Sequence, residues 1–372
     1  MTTTREGLEA ALYEIKRVVV GQDAMLERVL VALLTGGHVL LEGVPGLAKT
    51  LTVKTLAGVV GGSFQRVQFT PDLVPADLVG TRVLRPGSGT FDVELGPVVC
   101  NFLLADEINR APAKVQSALL EVMEEHQVTI AGQTFPVPEP YLVLATQNPI
   151  ESEGTYPLPE AQTDRFLMKI LIDYPTPAEE STVVGRSLDP PVEVIERLTG
   201  DDLLAFRREV DEVYVDGGIV AHAVRLADAT RNPHAYGLGD VAGYVDYGAS
   251  PRGPIGLIQS ARALALLRGR RHVISTDVRD LTLDVLRHRL VLSYDALSEG
   301  VSADHVLGRV LEAVPSPDAA PVHSMPPPSG PPSQGYAPPQ YSQPQQPQQP
   351  PAQQQQPPGE YPPPVVGGGS AA

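Results

Sequence analysis

Apolar residues recur along the first half of the chain in two rhythms. Over residues 24–34 they fall at helical spacing (Leu26, Val29, Leu30, Leu33) and stop at Thr35-Gly36-Gly37, which predicts a helix closed by a glycine cap. Three short apolar runs, 38–41, 101–105 and 141–146, predict buried strands, each ending in a polar cluster. Two further stretches read as hairpins: 81–84 with 90–95 around Pro86-Gly87-Ser88-Gly89, and 127–130 with 134–137 around Ala131-Gly132-Gln133. Alternation of helix and strand from Gly21 to about Tyr174 predicts a three-layer α/β domain with a mainly parallel sheet, in which ligands bind where strands end.

After Asp173-Tyr174-Pro175 the rhythm changes, which sets a boundary between an α/β domain at 1–175 and a smaller all-α domain at 176–314. Helices are expected at 178–188, 201–214, 217–230, 251–268, 276–292 and 302–313. The stretch 231–249, rich in Gly and Tyr, is too long for an ordinary connection and is expected to be either functional or mobile.

Composition then isolates a third segment. Of the 38 prolines, 19 lie in residues 315–372, along with 11 Gln, two acids and no Lys or Arg. Such a segment cannot bury enough apolar area to offset its ordering entropy, so a disordered Pro/Gln-rich tail of polyproline II character is expected there. The formal charge of −16 belongs to the rest: without the tail, 28 basic residues face 42 acidic ones, or −14. Surfaces that neutralise nucleic-acid phosphates or anionic lipid need clustered Lys and Arg, so the balance argues against both. Cys100 stands alone, which excludes a disulfide scaffold. No signal-peptide pattern and no membrane-spanning apolar run is evident, and the cytoplasm is the simplest compartment.

The candidate chemistry is concentrated where the predicted strands end. GVPGLAKT at 43–50 follows the first strand and precedes a helical pattern, matching the phosphate-cradling loop G-x-x-x-x-G-K-[ST] except for Ala48. Its backbone N–H groups would face phosphates, Lys49 would neutralise β and γ oxygens, and Thr50 would offer a hydroxyl to Mg2+. Ala48 is expected to take an αR or β backbone at the helix entry. The second strand ends in Asp106-Glu107, a pair suited to holding the hydrated metal and polarising the attacking water. The third ends in Asn148, which could orient that water without adding charge, although an Asn-Pro turn accounts for it equally well in isolation. Arg165 and Arg252 are arginines that could reach a phosphate. Ser250 as N-cap and Pro251 at N1 would place Arg252 in a first helical turn; an ordinary surface salt bridge is the competing reading for each, as for Arg110. Cys100 reads as buried and inert, and the absence of N-K-x-D favours adenine as the base.

GVPGLAKT, FLLADEINRAPAKVQSALLEVMEE, ATQNPIESEGTYPLPEAQTDRF and ASPRG, in this order, resemble the MoxR family of AAA+ ATPases over roughly residues 10–312. The resemblance implies an ATP-binding site with Mg2+. It makes Gly43, Val44, Pro45, Gly46, Leu47, Ala48, Lys49, Thr50 and Leu51 the nucleotide loop and Gly21-Gln22 the adenine-side motif. Asp106 and Glu107 become the metal-holding and catalytic acids, with Thr50 as the second metal ligand. Asn148 becomes sensor 1, Arg165 an arginine finger reaching a neighbouring subunit, and Arg252 sensor 2. The two hairpins correspond to the family's helix-2 insert and pre-sensor-1 hairpin. Ala48 is usual in the family, whereas Gly253-Pro254 after the arginine departs from its commoner pattern. The resemblance further implies a homo-oligomer, usually a hexameric ring, that remodels or activates client proteins, often with a von Willebrand A domain partner. Hydrolysis would move the helical domain as a lid. A DNA-acting AAA+ ATPase or transcriptional regulator shares these motifs. The acidic balance and hairpin tips without Lys or Arg favour a protein client over it. A non-catalytic nucleotide-binding scaffold offering its proline-rich tail is the third reading, and it requires Glu107 to be idle.

Overall fold

The computed structural model describes residues 4–44, 46–87, 89–149, 154–190 and 192–317. Two helices open the chain, α1 (Thr4–Val18) and α2 (Asp23–Thr35), followed by β1 (Val39–Glu42), α3 (Lys49–Val60) and β2 (Phe64–Gln68). A short α4 (Pro75–Val79) leads into the hairpin β3 (Gly80–Arg85) and β4 (Thr90–Leu95), then β5 (Phe102–Asp106), α5 (Ala113–Glu125) and a second hairpin, β6 (Gln127–Ile130) with β7 (Gln133–Pro136). The α/β part ends with β8 (Leu142–Gln147), α6 (Glu160–Thr163) and β9 (Met168–Leu171). Beyond it run α7 (Pro177–Ser187), α8 (Gly200–Asp211), α9 (Gly217–Arg231), β10 (Val245–Tyr247), α10 (Arg252–Leu267), α11 (Ser275–Leu286), β11 (Val291–Leu292), α12 (Tyr294–Glu299) and α13 (Ala303–Ala313).

Five strands form one wholly parallel sheet in the order β2-β5-β8-β1-β9. The central strands read as unbroken apolar runs because both faces are covered. Leu40, Leu103, Ala105, Val143 and Ala145 join a core with α5 and the hairpins. Val39, Leu41, Phe102, Leu104, Leu142 and Leu144 join the core shared with α1, α2, α3 and the C-terminal helices. Alternate residues of each strand thus belong to different cores, as the pleat requires.

Where the pattern misled, polar contacts explain it. β2 reads FQRVQ, an edge strand with no fully buried residue, and carries no apolar run to announce it. α8 ends at Asp211, ahead of the expected 214, because Tyr214 turns to donate its N–H to Arg271. The helix expected to reach 292 stops at Leu286. A short 3-10 turn, 287–289, follows and lets Arg287 pair with Asp304 and Asp284 and Arg289 with Asp164. Residues 291–292 then pair with β10, so the helical C-terminal part carries one small strand pair. The 231–249 connection is packed through buried Leu238 and Val241 and through the Tyr236 hydroxyl donating to Asp228. Among the described residues, no helix is long and apolar enough to cross a membrane. From residue 318 the expected tail lies outside the described residues, as do Ser88 and Pro45.

His38 ties the base of β1 to its neighbours. Its Nε2 donates to the Met123 carbonyl at 3.0 Å and its Nδ1 accepts the Val143 N–H at 3.1 Å, a pairing that requires the neutral ring. Burial pushes its pKa down to about 4. The unfolded chain takes up a proton near 6.5 and the folded one only near 4, so stability present above 6.5 is lost as pH falls through that window. Against a His38→Gln variant, urea denaturation should show the wild type losing on the order of 3 kcal/mol more between pH 7 and pH 4. Parallel pH curves for the two proteins would contradict this.

Candidate active site

The loop between β1 and α3 crosses the carboxyl edge of the sheet. A Cβ on Gly43 would fall 2.7 Å from the Ile172 carbonyl oxygen, so only glycine lets the loop leave the strand here. Gly46 has φ +88, a left-handed backbone that favours glycine, and a Cβ there would meet nothing within 4 Å among the described residues. Ala48 has φ +56, contrary to the expected right-handed or extended backbone. The helix does not begin at Ala48 but one residue later, and Ala48 makes the left-handed turn into it while its carbonyl accepts from Thr52. Val44 belongs to the same loop, packed against the core.

Gly43, Gly46, Leu47, Ala48, Lys49, Thr50 and Leu51 border a cavity of about 400 Å3, which Asp106, Glu107 and Asn148 also line. Lys49 donates to the Gly43 carbonyl at 2.6 Å. Burial holds its pKa below the ordinary lysine value, opposed by the charges of Asp106, Glu107 and Glu42. Glu107 adopts φ +56 where β5 ends, a strained turn that separates it from the strand. Both acids depend on Thr146 of β8: its hydroxyl donates to Asp106 Oδ1 at 2.7 Å and accepts the Glu107 N–H at 2.8 Å. From β2, Arg66 donates to Asp106 Oδ2 at 2.6 Å and Gln68 to Glu107 Oε2 at 2.7 Å. Arg110 pairs with that same Oε2 at 3.0 Å. Gly21 and Gln22 do not line this cavity. Both take left-handed backbones, and the Gln22 amide donates to the Asp173 carbonyl, one residue beyond the Ile172 that backs Gly43. An open glycine cradle, a half-buried ammonium and a carboxylate facing one space suit a nucleoside triphosphate with a hard divalent cation, with Thr50 and Asp106 as the oxygen donors.

Arg165 and Arg252 lie elsewhere. They line a second cavity of about 480 Å3 together with Gly36, His38, Glu124 and Arg289. Gly36 and His38 precede β1 and Leu167 precedes β9, so this cavity sits at the amino edge of the sheet, whereas the loop cavity sits at its carboxyl edge. The two edges are separated by the length of β1, roughly 13 Å. Arg252 pairs with Glu124, the kind of salt bridge that competes with a phosphate contact in the sequence reading. It opens α10 as its first residue, with Pro251 just outside, and its N–H donates to the Ser250 hydroxyl. Behind it, buried Arg289 pairs with Asp164 at 2.8 Å and donates to the Phe166 and Leu167 carbonyls, and Ser250 donates to Asp164 at 2.8 Å.

Residues 38–168 match the model of the ATPase family associated with various cellular activities (AAA), and 240–310 match the AAA lid domain. The chain is 57% identical over 324 residues to Chaperone MoxR1 of Mycobacterium tuberculosis, covering 86% of each chain. It belongs to the MoxR family of AAA ATPases. Protein MoxR of Paracoccus denitrificans is 34% identical, over 77% of this chain and 88% of that protein. A solved crystal structure from Cytophaga hutchinsonii superposes with a TM-score of 0.80 at 46% identity, covering 84% of this chain and 96% of the other.

In this MoxR chain the loop lysine and both acids are brought to one cavity, and the two arginines are not. Sequence reasoning missed Arg66 and Gln68, because nothing marks β2, and Thr146, because a Thr within an apolar run reads as filler. Replacing Thr146 by the isosteric Val would leave the Glu107 N–H and an Asp106 oxygen without their partner. Thermal or urea unfolding of Thr146→Val should therefore show a loss of about 1–3 kcal/mol. Unchanged stability would mean that the hydroxyl does not hold the two acids.

Proposed function

We propose that this protein hydrolyses ATP in the loop cavity and uses the cycle to remodel or activate client proteins, working as a ring, most simply a hexamer, in the cytoplasm. The observation that carries the reading is the division of charged groups between the two sheet edges. Lys49, Asp106 and Glu107 share one cavity, while Arg165 and Arg252 lie at the far end of β1. In a ring, the arginine edge of one subunit would face the loop cavity of the next and complete it. Arg165 would then serve as the finger, and Arg252, the sensor 2 of the family resemblance, would also act on the neighbour's nucleotide. Thr50 and Asp106 would hold Mg2+, which when bound neutralises charge on the phosphate oxygens. Glu107 would take the proton of the attacking water, Asn148 would orient that water, and Lys49 would neutralise the transferred group. Gly21-Gln22 would flank the adenine.

The chaperone name of the Mycobacterium tuberculosis relative supports a protein client, and so does the acidity of the chain. A DNA-acting role has less support, since Gly87, Gly89 and the 131–133 tip offer no cation to a phosphate. A von Willebrand A domain protein is the partner that the family resemblance suggests.

The test is Glu107→Gln. It should bind ATP yet release phosphate at least roughly 100-fold more slowly, and sediment as a ring when ATP is present. Unchanged phosphate release would remove Glu107 from the chemistry, and a monomer with and without ATP would remove the ring.

A further inference from the structure

Glu124, in the last turn of α5, divides its two oxygens between two arginines of different elements. Oε2 pairs with Nη1 of Arg165 at 2.8 Å, and Oε1 with Nη2 of Arg252 at 3.1 Å. The same Arg165 nitrogen donates to the Leu120 carbonyl, one turn back, at 3.1 Å. Each guanidinium therefore uses one terminal nitrogen in these contacts, and its five-donor fork retains N–H groups that could meet an incoming anion. Three guanidinium groups, those of Arg165, Arg252 and Arg289, line this cavity, and they repel one another. Asp164 offsets Arg289, and Glu124 offsets the other two.

The position of Glu124 is fixed from behind. The carbonyl of the preceding residue, Met123, accepts from buried His38 at the base of β1. At the other end of α5, the buried Gln116 amide donates to the carbonyls of Ile108, Ala111 and Tyr156, so the helix is tied to the turn that follows Glu107. A single helix of 13 residues, about 20 Å long, thus runs from the Glu107 turn to the carboxylate that holds the arginine pair.

We propose that Glu124 is a positioning residue for hydrolysis on the neighbouring subunit. It holds Arg165 and Arg252 side by side, aimed at the γ-phosphate in the adjacent copy's loop cavity, and α5 links that pair to its own subunit's Glu107 turn. This rests on the reading above that the two arginines act in trans. Glu124 supports catalysis instead of masking the arginines, because its contacts occupy one nitrogen of each and fix both rotamers before charge develops on the phosphate. Preorganised donors of this kind lower the barrier without reorganising at the moment of reaction.

The experiment measures ATPase kinetics of the full chain carrying Glu124→Gln, alone and mixed with Lys49→Ala subunits, with Arg165→Ala run in parallel. Glu124→Gln should keep KM for ATP within about twofold and lose roughly tenfold in kcat, the mark of an interaction realised in the transition state. Mixing should restore turnover, because a Lys49→Ala neighbour cannot hydrolyse ATP yet presents an intact Glu124-held pair to the functional loop of the variant. If Glu124→Gln keeps wild-type kcat while Arg165→Ala is inactive and is rescued by the same mixing, the role of Glu124 is overturned and the trans reading stands. If Arg165→Ala hydrolyses ATP normally, the trans reading fails and the proposal fails with it. Loss of ATP binding by Glu124→Gln, or no recovery on mixing, would mark a structural defect and also overturn the proposal.

Discussion

Parallel pairing gives the sheet a direction. Five strands in parallel register bring all their carboxyl ends to one edge, so a loop after β1, an acid pair after β5 and an amide after β8 converge on one space even though about 100 residues separate the first from the last. The same register brings the segments that precede β1 and β9 to the opposite edge, where Arg165 lies and where the start of α10 adds Arg252. No side-chain rotation moves Arg165 or Arg252 across the roughly 13 Å of β1 to its own loop cavity. The division of the chemistry between two edges is therefore a property of the sheet and of the Ser250–Asp164 contact that ties the start of α10 to it, and under the proposed function it is the reason for assembly.

The polar contacts that fix each edge are of different kinds. At the carboxyl edge, backbone strain and short side chains do the positioning: Ala48 and Glu107 both sit in left-handed conformations, and one Thr146 hydroxyl serves both acids. At the amino edge, charge pairs join the α/β part to the helices beyond it. Arg289 is nearly fully buried, its pKa pushed below the ordinary arginine value by that burial while Asp164 opposes the shift. Breaking such a pair leaves a buried charge uncompensated, at a cost of about 3–5 kcal/mol. That makes the junction of β9 with α10 and the turn after α11 a stiff connection. A lid movement, if hydrolysis drives one, would bend the chain elsewhere than at Asp164.

Much of this was legible in the sequence, and the reasons for success and failure are physical. Buried strands β1, β5 and β8 announce themselves because each is covered on both faces and so must be apolar throughout. The loop lysine and the two acids follow from their fixed spacing to those strands. β2 is invisible because an edge strand with exposed alternate residues needs no apolar run, and Arg66 and Gln68 vanish with it. The end of α11 escaped because an arginine that leaves a helix to reach a distant aspartate has no local signature. The sequence leaves the surroundings of Arg252 open for a related reason: it shows that a helix begins there, not which edge of the sheet that helix start meets.

The measurement that tests the account most directly is turnover per subunit as a function of subunit concentration, with sedimentation followed over the same range. If the loop cavity is completed by a neighbour's arginine edge, turnover per subunit should be near zero in dilute monomer and rise to a plateau as the ring assembles. Turnover per subunit that is the same in the dilute monomer as in the assembly would show that each chain completes its own site, and the account would be wrong.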